Sequence, residues 1–76
     1  MRDLVLWLAR ELVDDREAVK VEAIERDRST VFELSVAEDD LGRVIGRGGK
    51  TAKALRAVLD LAARREGRRV VLDIID

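Results

Sequence analysis

Ten residues carry the densest chemistry in the chain: Gly42-Arg43-Val44-Ile45-Gly46-Arg47-Gly48-Gly49-Lys50-Thr51, with four of its five glycines. Glycine lets a backbone approach a ligand closely. The segment after Gly49 has helix-forming composition, and a helix N-terminus offers unpaired N–H groups and partial positive charge. Arg47 adds a full charge inside the loop. Close approach, oriented N–H groups and a cation together describe a phosphate site.

Three chemistries fit such a loop. A nucleotide-binding P-loop shares Gly49-Lys50-Thr51, but its first glycine would fall on Val44, and a short helix replaces the strand that should precede it. A purely structural helix–helix turn also recruits glycine, yet seldom three in four residues around an arginine. The third reading is a clamp on a nucleic-acid backbone, in which a loop between two helices grips about four nucleotides.

The remaining chain limits the choice. Seventy-six residues make one small domain, residues 1–76, with no room for a catalytic unit beside a binding unit. A hydrophobic content of 47% is ample for a core, and 41% charged residues make a polar surface. There is no cysteine and no histidine. Disulfides, thiolate chemistry and the commonest general base and metal ligand are therefore absent. No catalytic residue, metal site or cofactor is expected. No apolar run reaches the length of a membrane span, and the N-terminus is amphipathic from the start. A soluble, intracellular protein is expected.

The net charge of −1 hides an asymmetry. Residues 1–40 carry 6 basic and 12 acidic side chains, whereas residues 41–72 carry 9 basic and 2 acidic. Between Leu41 and Leu59 there are five bases and no acid. A surface helix usually mixes signs to gain i,i+4 pairs, so the unmixed run points to a polyanion.

The elements that must position the loop follow from periodicity. Leu4, Val5, Leu8, Ala9 and Leu12 form a helical stripe over residues 2–14, closed by Asp14-Asp15. Val19, Val21 and Ala23 alternate with polar residues in a strand over 18–25. Phe32, Leu34 and Val36 do so over 30–37, and the short turn between makes a hairpin. Glu38-Asp39-Asp40 suit the N-terminus of a short helix at 39–45 as caps and dipole partners. A helix over 50–65 presents Thr51, Ala52, Leu55, Val58, Leu59 and Ala62 as its apolar stripe, with Gly67 as the stop. Residues 69–75 form a last strand, almost continuously apolar, which suggests burial on both faces or a strand with a partner. The order α-β-β-α-α-β implies an α+β domain. Its mixed three-stranded sheet has strand two central, strand three parallel to it through a helical crossover, and three helices on one face.

Val44-Ile45-Gly46-Arg47-Gly48-Gly49-Lys50 closely resembles the V-I-G-x-x-G core of KH domains, and the element order is that of the type II, prokaryotic arrangement. The segments Asp40–Gly46 and Gly49–Arg56, with Arg69–Ile74, resemble the KhpA family of small bacterial KH proteins. The resemblance spans essentially the whole chain. Ala52 departs from the general pattern, where many KH domains place isoleucine, and makes the groove wall shallower. The resemblance implies a cytoplasmic, non-catalytic protein that binds single-stranded RNA. It also implies homodimers, pairing with a larger KH protein (KhpB, also called Jag or EloR), small-RNA and messenger-RNA binding, and a link to cell elongation, division and wall organisation.

The expected RNA contacts are Arg43, Val44, Ile45, Gly46, Arg47, Gly48, Gly49, Lys50, Lys53 and Arg56. Glycines admit the backbone, bases neutralise phosphates, and Val44, Ile45 and the central strand around Val31–Leu34 form an apolar floor for bases. Phe32 reads as core rather than as a stacking platform. Trp7 and Leu61 lie off their helices' stripes; they either bury a dimer contact or are covered by a core that wraps far enough. A protein–protein adaptor with incidental RNA contact is the competing reading.

Overall fold

The computed structural model describes residues 1–76. Helix α1 spans Arg2–Leu12. A 3-10 turn at Arg16–Ala18 leads into strands β1, Lys20–Glu25, and β2, Ser29–Ser35. A second 3-10 turn, Glu38–Asp40, precedes helix α2, Leu41–Ile45. After the glycine loop come helix α3, Lys50–Glu66, and strand β3, Arg69–Ile74. The order is the expected α-β-β-α-α-β.

The sheet order is β1-β2-β3, with β1 and β2 antiparallel and β2 and β3 parallel. The register sets Val21 opposite Leu34, and Phe32 opposite Leu72. These four residues are buried with Val5 and Ala9 from α1, Val44 from α2, and Leu55 and Leu59 from α3. All three helices thus cover one face. Successive strand residues point to opposite faces, so Glu22, Ile24, Val31, Glu33, Val71 and Asp73 sit on the other one. None of them is buried. The apolar run in β3 therefore does not mean burial on both faces: Val71 and Ile75 are exposed.

Some boundaries shift for identifiable reasons. α1 stops at Leu12 because Val13 is extended and buried in the core, which pulls the chain off the helix before Asp14-Asp15. In α3 it is Ala63, not Ala62, that joins Ala52, Leu55 and Leu59 in the core, and Val58 is 42% exposed. Gly67 closes α3 in the left-handed conformation at φ +66, its N–H directed to Ala63 and Arg64 carbonyls. Arg68 then fastens β3 to the hairpin, donating to the Glu25 carboxylate at 2.8 Å and to the Ser29 carbonyl at 3.1 Å. No helix is long and apolar enough to cross a membrane.

Candidate nucleic-acid interface

The glycine loop joins α2 to α3 by two reversals. The Gly46 N–H closes α2 on the Gly42 carbonyl at 2.8 Å, and the Gly49 N–H returns to the Gly46 carbonyl at 3.1 Å. Gly46 has φ +78 and ψ 168, a region almost reserved for glycine. A Cβ there would lie 2.7 Å from the Thr51 Cβ and 2.8 Å from its backbone nitrogen, and would overlap Oγ1. Gly46 is thus required for both conformation and space. Gly48 and Gly49 have φ +64 and +78, but a Cβ at either would meet nothing within 4 Å. These two leave an open approach above the loop. No side chain caps the N-terminus of α3.

Arg47, Lys50, Lys53 and Arg56 are all exposed. None takes part in the chain's ion pairs, which involve Arg2, Arg16, Arg43 and Arg68. Arg56 has a local anchor, since its Nε and Nη2 both donate to the Leu72 carbonyl at 3.3 Å. That contact ties α3 to the outer edge of β3 and holds the guanidinium beside the groove between them. Arg56, Leu59, Asp60 and the segment Arg69–Leu72 line that groove.

Three expected contacts sit elsewhere than the sequence reading put them. Val44 is 0% exposed and belongs to the core, so it cannot touch a base; it holds the loop in place from beneath. Its neighbour Ile45 is 36% exposed and is the apolar surface at the loop's edge. The base floor does not lie on β2, because β2 is hydrogen-bonded on both sides and its Phe32 and Leu34 are buried under the helices. The accessible strand is β3, which has a free edge next to α3. The strand order already implied this, since a central strand cannot present an edge. Arg43 is engaged by two carboxylates, with Nε 3.2 Å from Asp40 Oδ1 and Nη2 3.0 Å from Asp14 Oδ2.

Asp40 lies at the N-terminal end of α2, where the sequence placed it, but its side chain does not cap that helix. Its buried carboxylate accepts the backbone N–H groups of Asp14 at 3.1 Å and Asp15 at 3.0 Å, and also the Arg43 Nε. Those two backbone donors, with help from the Arg43 charge, hold its pKa below the ordinary aspartate value, against the opposing effect of burial. One carboxylate thus staples the end of α1 to the start of α2, six residues before Gly46. The two backbone donors lie more than twenty positions away in the sequence, so no local pattern could have shown them.

A family model described as "KhpA/KhpB, KH domain" matches residues 2–74. The chain is 50% identical over 76 residues to the protein named RNA-binding protein KhpA from Halalkalibacterium halodurans, covering all of both chains. It is 43% identical over 76 residues to the protein of the same name from Aquifex aeolicus, covering all of this chain and 96% of that one. A crystal structure of Aquifex aeolicus Era matches 96% of this chain with 28% of its own, at a TM-score of 0.59 and 24% identity, a likeness of fold. With the type II arrangement and the glycine loop in place, the family match settles the classification: the chain belongs to the KhpA/KhpB KH-domain family.

Proposed function

We propose that this protein binds single-stranded RNA through the Gly46–Gly49 clamp and catalyses no reaction. One observation carries the reading: an open, twice left-handed glycine loop stands at the head of α3, flanked by four exposed cations that form no ion pair. The names of the relatives support the same ligand. Phosphates would pass over Gly48 and Gly49 towards Arg47 and Lys50, and bases would rest against Ile45, α3 and the edge of β3. A single strand can splay its bases into such a groove, whereas a duplex cannot.

The affinity should be modest. Phe32 is buried, and Trp7 stands on α1, which packs along the opposite flank of α3 from β3. Aromatic stacking, worth about 1–3 kcal/mol per base, is missing from the groove. Pairing of two copies would recover affinity through a second site. The resemblance to KhpA proteins supports homodimers, a larger KhpB-like partner, a cytoplasmic location and a role as RNA chaperone in the control of cell elongation and division. The alternative, an adaptor with incidental RNA contact, is favoured by the exposed apolar residues Trp7 and Leu61, 59% and 64% exposed.

The double substitution Arg47→Asp, Gly48→Asp separates these readings. Position 48 has room for a side chain, and aspartate tolerates its φ at a cost of about 1–2 kcal/mol. The variant should remain folded and lose RNA in a low-salt gel shift. Parental RNA binding would remove the clamp assignment; loss of RNA binding with cellular function intact would favour the adaptor.

A further inference from the structure

α3 has a basic flank that continues well past the clamp. Lys53, Arg56, Asp60 and Arg64 follow one another at i, i+3, i+4 spacing, which stacks them along one side of the helix. That side faces β3. The groove beside Arg56 adjoins a second depression at the far end of α3, and the two share Asp60, Arg69 and Val70 as walls. Arg64 from the helix and Arg69 from the strand border the second depression. Both are exposed and neither is ion-paired, unlike Arg68 beside them, which is fixed on Glu25. From Lys50 to Arg64 the helix rises about 21 Å. Four stacked nucleotides rise about 14 Å along the axis of the strand, at about 3.4 Å per nucleotide.

We propose that Arg64 and Arg69 form a second phosphate-binding station, so that a single RNA strand held by the clamp runs on along the α3–β3 seam to the far end of the helix. The station rests on the clamp reading above and extends the bound length beyond the four nucleotides a clamp alone grips. Asp60, the one carboxylate on this path, repels phosphate. It therefore sets the backbone to either side and leaves an acceptor facing the bases, where the amino groups of adenine, cytosine or guanine are donors and uracil offers none of that kind.

Fluorescence anisotropy with labelled single-stranded RNAs of four and eight nucleotides, mixed in sequence, tests the station in the parent and in Arg64→Gln, Arg69→Gln. Both side chains are exposed, and a thermal melt checks that the variant is folded. The expected result is equal four-nucleotide binding by the two proteins and a selective loss of the eight-nucleotide affinity in the variant. Two lost phosphate contacts lower the salt slope of the longer RNA by about 1.4, a factor of roughly twenty at 0.1 M salt. The number of binding registers on the longer strand is the same for both proteins, so the comparison isolates the arginines. A variant whose affinity is unchanged for both lengths, or falls equally for both, overturns the station and leaves the clamp standing. A parent that binds neither length overturns the clamp and the station together.

Discussion

At Gly46 the backbone reverses with φ +78 and ψ 168 and passes close over Thr51. Gly46→Ala combines an almost glycine-only conformation, costing about 1–3 kcal/mol, with a steric overlap that the helix N-terminus must move to relieve. The melting temperature should fall by about 10 °C or more, and RNA binding should be lost at temperatures where circular dichroism still reports a folded chain. Asp40 makes a different prediction. Its folded pKa is depressed, so its contribution to stability is fully present above the unfolded value of 3.8 and is lost as pH falls below that through the folded value. Asn at this position cannot accept both backbone N–H groups and carries no charge for Arg43. Asp40→Asn should melt below the parent at pH 7, and the gap between them should close in melts taken at progressively lower pH beneath 3.8. A constant gap across that range would show that the carboxylate charge is not what holds the staple.

Among the elements, α3 divides its surface three ways. Ala52, Leu55, Leu59 and Ala63 face the core; Lys53, Arg56 and Arg64 flank β3; and Ala54, Val58 and Leu61 form an outer apolar strip. Next to that strip, Leu8 and Leu12 of α1 line an apolar trough with Ala54, Leu55 and Val58. Trp7→Ala and Leu61→Glu should each shift the protein towards monomer in sedimentation velocity if these helices bury a contact between copies; two variants as associated as the parent would remove both residues from the interface. The helix itself was legible in the sequence, because its apolar spacing is helical and Gly67 marks its end. Which small or branched residue faces inward was not. Val58 and Ala62 lie within one helical step of the true stripe, and packing against α1 and the sheet decides between them. The same ambiguity placed Val44 beside Ile45 as a base contact, although one is wholly buried and the other half-open. Strand order and the glycine loop were readable because period and residue type are local. The pairing of Arg43 with Asp14 was not, because it joins separate elements.

Over the whole molecule, charge is sorted by segment. The acidic first forty residues build α1, the hairpin and the Asp40 staple, and the basic segment builds the clamp, α3 and the start of β3. On the open sheet face, Glu22, Glu33 and Asp73 stand in register across all three strands, so that face repels a polyanion. The surface favourable to a polyanion is thereby confined to one side of a molecule whose net charge is only −1. Binding through four or five phosphates should fall with salt at a logarithmic slope of about −3. The most direct measurement is a titration of single-stranded RNA into isotopically labelled protein, following backbone amide shifts by NMR. The account predicts the largest changes at Ile45–Lys53 and along Arg69–Leu72, with Glu22, Glu33 and Asp73 unmoved. Changes concentrated on the open sheet face or on α1, with Gly46–Gly49 silent, would contradict it.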